Sequence, residues 1–250
     1  MFHLNKLYVV GIGPGAADQM TLRAMRALQD ADVIAGYGVY VDLVRPMFPE
    51  KEYLTTAMRR ESERCRLAID AACGGKTVAM ISSGDAGVYG MAGLIYDLSQ
   101  GMELTIEVVP GVTAALSGGA VLGAPLTHDF AVISLSDLLT PWEKIEKRLK
   151  CAAEADLGIV LYNPSSRKRA DYLKRACDIL LTILPESRIC GTAGNIGREG
   201  EETHIYTLGE LRHVSVDMFT TVFIGNADTT VINGKMVTPR GYHVERKAND

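Results

Sequence analysis

Four apolar runs along this chain each end in a cluster of small residues, and this repetition constrains the fold more than any other feature. The clusters begin at Gly11, Ser83, Pro110 and Asn163. Helical patterns alternate with the strand patterns, which is typical of α/β proteins. Because ligands bind at the carboxyl ends of strands in open α/β sheets, the four clusters predict one small-molecule site assembled from several loops.

The strand patterns of the two halves differ. The first half alternates strands with helices, whereas the second ends in strand patterns that include an Asn233-Gly234 turn, typical of a two-residue hairpin. Thr140 followed by Pro141 predicts a helix start with a capping box. We therefore predict two α/β domains with mixed sheets, residues 1–120 and 121–250, with a ligand cleft between them.

Composition excludes several classes of protein. The chain has 250 residues, of which 47% are hydrophobic, which is enough to bury a substantial core. A net charge of −4 argues against a nucleic-acid-binding surface. No apolar run is long enough for a membrane span, and the first residues lack a signal-peptide pattern. We therefore expect a cytoplasmic protein with no nucleic-acid or membrane partner.

The cysteines predict neither a disulfide framework nor a metal site. There are five, they are scattered, and none forms a C-x-x-C motif or lies at metal-ligand spacing from a histidine. Cys65 and Cys177 fall on helical patterns with apolar neighbours, so we expect them to be buried, unreactive thiols.

The first glycine cluster resembles a dinucleotide-binding motif only in part. Gly11, Gly13 and Ala16 fit G-x-G-x-x-G/A. In that motif the second glycine opens a helix, but here the helical pattern starts only near Thr21. An acidic residue should also close the second strand, whereas Asp32 precedes it. A tight turn explains these glycines but not the other three clusters.

No sequence motif for a protein nucleophile, a Walker A loop or a zinc protease is present. His128 and Asp129 are candidates for an acid or base and its orienting partner, although adjacent residues rarely face each other. A chain with ligand loops but no nucleophile suits a reaction that depends on positioning two bound reactants, such as transfer from an activated donor.

Three of the clusters together resemble a known family. Residues 10–15, the Ser-Gly-Asp loop at 83–85 and residues 109–114 are similar to motifs of the tetrapyrrole methylases, which use S-adenosylmethionine as methyl donor. The resemblance covers roughly residues 7–242. Segments at 82–92, 128–142 and 238–242 resemble the branch that methylates carbon 17 of precorrin-3B or its cobalt counterpart, with contraction of the macrocycle in cobalamin biosynthesis.

The resemblance implies two α/β domains, a homodimer, and a donor pocket without a protein-bound metal. Asp85 either bonds the donor or holds its own loop as an Asx-turn, and Thr113 either bonds the donor or caps a helix. The implied S-adenosylmethionine contacts are Pro14, Ser83, Gly84, Asp85, Val88, Thr113, Ala114, Asn163 and Ile196.

The carboxylates of a tetrapyrrole substrate need cationic partners, and two arginine-rich clusters are candidates. The alternative for both is a solvated helix face. They comprise Arg59, Arg60, Arg64 and Arg66, then Arg167, Lys168 and Arg169, with Arg198 as a further candidate. The rival functions are methylation of another position or of another substrate, such as ribosomal RNA or a diphthine precursor, and a nucleotide-binding regulator without catalysis.

Overall fold

A computed structural model describes residues 5–166 and 169–242. Contacts between Cα atoms divide the chain into two compact units, the first ending at Ala114 and the second beginning at Ala115. Arg167 and Lys168 of the second arginine cluster lie outside the described residues. Within the described ranges, no helix combines the length and apolarity that a membrane crossing requires.

The first unit is built on a sheet of five strands in the order β3-β2-β4-β1-β5, and every pairing in it is parallel. The strands are β1 (Lys6–Gly11), β2 (Val33–Tyr37), β3 (Glu52–Thr56), β4 (Thr77–Ser82) and β5 (Thr105–Val109). The helices are α1 (Leu22–Asp30), α2 (Gly38–Val44), α3 (Glu61–Cys73) and α4 (Ala92–Leu98).

Alternate residues of β1 enter two separate apolar layers. Tyr8 and Val10 pack with residues of α1 and α2, and Leu7 and Val9 pack with residues of α3 and α4. Helices therefore cover both faces of the sheet, which is why the strand reads as a continuous apolar run rather than as an alternating one.

The second unit contains a five-stranded mixed sheet, β10-β9-β11-β8-β7, in which only β7 and β8 are parallel, and a three-stranded sheet, β12-β13-β6. Its strands are β6 (Gly123–Ala124), β7 (Phe130–Ser134), β8 (Gly158–Tyr162), β9 (Ile189–Gly194), β10 (Glu202–Thr207), β11 (Thr220–Ile224), β12 (Thr230–Ile232) and β13 (Lys235–Val237). Its helices are α6 (Trp142–Glu154), α7 (Tyr172–Leu180) and α8 (Leu208–Leu211), preceded by α5 (Ala114–Leu122), which starts at the boundary.

The predicted α/β class is confirmed, and mixed pairing occurs in the second unit only. The hairpin is also confirmed: Asn233 and Gly234 have φ of 50° and 72°, the two positive values that a type I′ turn requires. Cys65 and Cys177 are buried, and burial raises the pKa of their thiols to about 11 and about 12. Both thiols are therefore unreactive at neutral pH, as predicted.

Two predicted helix starts are wrong. The pattern from Val88 to Ser99 predicts a helix, but α4 begins at Ala92, because the backbone at Tyr89 is left-handed, with a φ of 54°. The predicted capping box at Thr140 does not form: Pro141 occupies the N-cap of α6, and no side chain caps it. A capping box instead opens α8, where Thr207 and Glu210 each accept a hydrogen bond from the backbone N–H of the other.

Removing the hydroxyl of Thr207 should therefore lower stability, and removing that of Thr140 should not. We expect Thr207→Ala to lower the free energy of unfolding by about 1 kcal/mol, the usual contribution of a Thr N-cap. Thr140→Ala, the matched control, should stay within about 0.5 kcal/mol of the parent. Urea unfolding followed by circular dichroism measures both, and equal losses would contradict this assignment of the caps.

Candidate functional site

The strands β4, β1 and β5 are adjacent and parallel, so their carboxyl ends are neighbours at one end of the first sheet, called its carboxyl edge below. Three of the four small-residue clusters meet there. The first two are joined by backbone hydrogen bonds. The N–H of Ile12 donates to the carbonyl of Ser82 at 3.0 Å, and Gly13 and Gly84 exchange two bonds of 3.0 and 2.7 Å.

These loops approach so closely that there is no room for a side chain. A Cβ atom added to Gly11 would lie 2.6 Å from the carbonyl oxygen of Gly84, and one added to Gly111 would lie 2.1 Å from the same oxygen. Both distances are shorter than any van der Waals contact. Glycine is therefore required at both positions for packing of backbone against backbone.

The carboxylate of Asp85 ties the second loop to the third. Its Oδ1 accepts a hydrogen bond from the N–H of Gly87 at 2.8 Å, which is an Asx-turn, and its Oδ2 accepts from the N–H of Gly111 at 3.0 Å. The loop-holding alternative is thus the one that the geometry displays. A carboxylate oxygen has the capacity to accept more than one hydrogen bond, so a ligand hydroxyl or ammonium can still bind there.

The other residues of this unit that are predicted to contact the methyl donor lie on or next to the same three loops. Pro14 is buried in the first loop, and Ser83 and Val88 are half-buried in the second. Thr113 of the third loop, and Ala114 after it, lie beside the second loop: a Cβ atom added to Gly84 would be 3.4 Å from the Cα atom of Thr113. Six of the seven residues predicted in this unit therefore belong to three loops that converge at the carboxyl end of the sheet, and the seventh, Ala114, is the first residue of α5 directly after the third loop.

The departure from a dinucleotide-binding loop is confirmed. A short 3-10 helix, Ala17–Gln19, separates the glycines from α1. The side chain of Thr21 caps α1 by accepting a hydrogen bond from the N–H of Ala24 at 3.1 Å. Asp32 is also engaged elsewhere, since its carboxylate accepts from the N–H of Thr77 at 2.8 Å.

In the second unit, the carboxyl ends of β7, β8 and β9 share one edge, because β8 and β9 are both antiparallel to β11. Asn163 follows β8 in a left-handed conformation, with a φ of 54°, and its amide donates to the hydroxyl of Ser134 at 2.9 Å. Ile196 follows β9, is buried, and lies beside Gly118 of α5. This edge therefore carries both donor residues predicted for the second unit.

His128 and Asp129 are not brought to that edge. Both are exposed and immediately precede β7, so they lie at its amino end. Asn163 and Ile196 lie at the carboxyl end of the same sheet. The five residues of β7 separate the two ends by about 16 Å at the usual rise of a strand.

Sequence reasoning did not identify the polar network of the loop after β7. The hydroxyl of Tyr172 donates to Asp137 at 2.5 Å, and Arg169 donates to the hydroxyl of Ser136 at 2.8 Å and forms an ion pair with Asp137. The hydrogen bond from Tyr172 is the main cause that holds the pKa of Asp137 below its ordinary value, and a backbone hydrogen bond and the charge of Arg169 add to it against the opposing effect of burial. The sequence signal that could have indicated this network is the pair of polar residues Ser136 and Asp137 shortly after the strand pattern.

A second feature missed from sequence is the hydroxyl of Tyr162. It accepts a hydrogen bond of 2.6 Å from the N–H of Ala115, in the first turn of α5. The first turn of a helix has N–H groups without partners inside the helix, so the hydroxyl satisfies one of them.

The arginine clusters divide into structural and surface residues. Arg64 is only 5% exposed and donates to the hydroxyl and the carbonyl of Thr56, so it is structural. Arg60 is exposed and forms an ion pair with Glu63 at 2.8 Å. The guanidinium of Arg198 lies 5.5 Å from the ring centre of Phe219. The first cluster is therefore not a continuous anion-binding rim.

No group of three or more His, Cys, Asp or Glu side chains within residues 5–166 and 169–242 has an arrangement that could hold a metal ion.

Comparison with known proteins identifies relatives along nearly the whole chain. The chain is 48% identical over 238 residues to a probable cobalt-factor III C(17)-methyltransferase of Salmonella typhimurium, covering 94% of this chain and 99% of that one. It is 40% identical over 248 residues to a precorrin-3B C(17)-methyltransferase of a Sinorhizobium species, covering 94% and 96%.

The fold is also similar to that of a solved methyltransferase structure. The crystal structure of the methyltransferase CobJ superposes with a TM-score of 0.85 at 34% identity, over 93% of this chain and 99% of that one. The family model described as Tetrapyrrole (Corrin/Porphyrin) Methylases matches residues 6–212. On this match and these full-length relatives, the chain belongs to the tetrapyrrole (corrin/porphyrin) methylases.

Proposed function

We propose that this chain transfers a methyl group from S-adenosylmethionine to carbon 17 of a corrin precursor, precorrin-3B or its cobalt counterpart, with ring contraction, in cobalamin biosynthesis. The observation that carries the proposal is the match to relatives named for this position over nearly the full length of both chains. The converging loops support it independently, because they form a ligand edge of the kind that a methyl donor needs.

The residues at the strand ends fit S-adenosylmethionine chemically. The adenine edge and the amino-acid tail need hydrogen-bonding partners of both kinds, which backbone groups of glycine loops provide. Ser83 and Thr113 add hydroxyls, Asp85 adds an acceptor for ribose hydroxyls or an ammonium, and Asn163 adds an amide. Ile196 offers apolar contact for the adenine face. Such a mixture of apolar surface and a few polar groups is typical of cofactor sites.

The sulfonium of the donor supplies an already activated methyl group, and the electron-rich carbon is on the tetrapyrrole. The protein therefore needs no nucleophile of its own, consistent with the absence of nucleophile motifs from the sequence. The task of the chain is to hold the two reactants in line, and positioning of this kind contributes roughly 7–11 kcal/mol to lowering a barrier.

Further parts of the proposal come from the sequence or the family resemblance. We place the enzyme in the cytoplasm as a homodimer, with a tetrapyrrole as its small-molecule partner and without nucleic acid, membrane or protein-bound metal. Light scattering after gel filtration measures the oligomeric state, and elemental analysis of the purified protein measures the metal content.

Methyl incorporation tests the reaction. With S-adenosylmethionine carrying a labelled methyl group, we expect one methyl to be added to cobalt-precorrin-3 or to precorrin-3B, with the label at carbon 17 in the carbon NMR spectrum. Label at another carbon would favour a different position of the macrocycle. Tight donor binding without incorporation into either substrate would favour a regulator without catalysis and would contradict the proposal.

The glycine contact predicts how donor affinity responds to a single methyl group. Gly111→Ala forces the third loop away from Gly84, so we expect a rise of at least tenfold in the Kd for S-adenosylhomocysteine, measured by calorimetry. Gly93→Ala in α4 is the matched control, because its Cβ atom would meet nothing within 4 Å. That variant should bind like the parent and be slightly more stable. Unchanged affinity in a folded Gly111→Ala variant would remove the third loop from the donor site.

The assignment of His128 or Asp129 to proton movement during ring contraction stays a prediction. Because both lie at the opposite edge from Asn163 and Ile196, we expect His128→Asn and Asp129→Asn to leave donor affinity within twofold of the parent. An acid or base role would appear as a change in the ratio of contracted to uncontracted methylated product, measured by mass spectrometry. Loss of donor affinity in either variant would contradict the location deduced from the strand direction.

A further inference from the structure

Two leucines on the loop after β7 are exposed in a way that packing does not explain. Leu139 is 98% exposed and Leu138 is 59% exposed. They form the turn between the end of β7 and the start of α6 and are called the leucine tip below. Single exposed apolar residues are common, but two adjacent ones at a ligand-binding edge indicate a contact with a partner molecule.

The leucine tip is held in place from both sides. On one side, Leu135 is fully buried and its N–H donates to the carbonyl of Tyr162 at 2.9 Å, which extends the parallel pairing of β7 with β8. Next to the tip, Asp137 accepts from Tyr172 and pairs with Arg169. The exposure of the leucines is therefore a fixed feature of the loop rather than a frayed end.

Aromatic packing fixes the other side. The ring of Trp142, the first residue of α6, lies 4.8 Å from the ring of Tyr172, centre to centre. The guanidinium of Arg175 stacks on Trp142 at 3.9 Å. Guanidinium groups thus lie at both ends of the loop, Arg169 beside Asp137 and Arg175 on Trp142.

The location of the tip limits what can cover it. The loop leaves β7 at Ser134. The hydroxyl of Ser134 accepts a hydrogen bond from Asn163, which is predicted to contact the methyl donor. The tip therefore projects from the edge at which the reactants would bind. A tetrapyrrole combines a flat apolar ring with a rim of carboxylates, and this matches exposed leucines that lie near the guanidinium of Arg175 on Trp142.

We propose that the leucine tip is the surface on which one face of the tetrapyrrole ring rests, so that it sets affinity for the tetrapyrrole and not for the methyl donor. This inference rests on the proposed function. It adds to that function a contact for the macrocycle that is separate from the glycine loops.

The single tryptophan of the chain, Trp142, provides a direct binding signal at the base of the tip. Porphyrins absorb where indole emits, so a porphyrin bound at the tip quenches Trp142. We would titrate the full chain with uroporphyrin III, an air-stable tetrapyrrole carboxylate. Saturable quenching is expected for the parent protein. Its absence in a protein that methylates cobalt-precorrin-3 or precorrin-3B would overturn the role of the tip and leave the proposed function intact.

The variants separate the two claims. We expect the double variant Leu138→Ser, Leu139→Ser to weaken uroporphyrin binding and to raise the KM for the methyl-accepting tetrapyrrole at least tenfold, with the Kd for S-adenosylhomocysteine and the Tm unchanged. Leu138→Met with Leu139→Met keeps the apolar surface and should behave like the parent. Met102 is a 48% exposed apolar residue before β5 in the first unit, so Met102→Ser is the control for surface polarity and should also have no effect.

Three results would overturn the role of the tip while leaving the proposed function intact. The first is unchanged tetrapyrrole affinity in the Ser double variant. The second is an equal loss of donor and tetrapyrrole affinity, which would indicate a general disturbance of the edge. The third is a change of oligomeric state in that variant, measured by light scattering, which would assign the tip to contact with a second copy of the chain.

Discussion

The contact of three backbone segments at Gly11, Gly84 and Gly111 is the constraint on which the candidate site depends. A Cβ atom at Gly11 or Gly111 would lie closer than 3 Å to the carbonyl oxygen of Gly84, so the three loops meet only without side chains there. Asp85 then fixes the spacing by bonding Gly87 and Gly111. Once these loops are held, their remaining backbone groups are ordered before a ligand arrives, which reduces the entropy lost on binding.

The second unit reaches a similar result with side chains rather than glycines. Asn163 adopts a left-handed conformation that asparagine tolerates better than most residues, and its amide bonds Ser134 on the neighbouring parallel strand. Tyr172 and Arg169 then hold the loop that follows β7 through Asp137. Each unit therefore presents its predicted donor residues at the carboxyl edge of its own sheet, on loops fixed by specific hydrogen bonds.

Most of the fold could be predicted from local sequence because strand and helix periods are clear where both faces of a strand are buried. The edge strand Glu52–Thr56 was missed because it is only partly buried and therefore lacks a continuous apolar run. The late start of α4 was missed because the left-handed backbone at Tyr89 interrupts an otherwise helical pattern. In both cases tertiary context decides the local structure.

The site was predicted as a set of residues, but its internal bonds were not. The contact between Asp85 and Gly111 joins residues that are 26 positions apart, and that between Asp137 and Tyr172 joins residues 35 positions apart. No local period encodes such pairs.

Hydrogen–deuterium exchange with and without S-adenosylhomocysteine directly tests the central claim that the three loops form the donor site. The account predicts that bound S-adenosylhomocysteine slows exchange in peptides covering residues 11–15, 82–90 and 109–115. Exchange in a peptide covering residues 126–130 should not change. Protection confined to residues outside the three loops would contradict it.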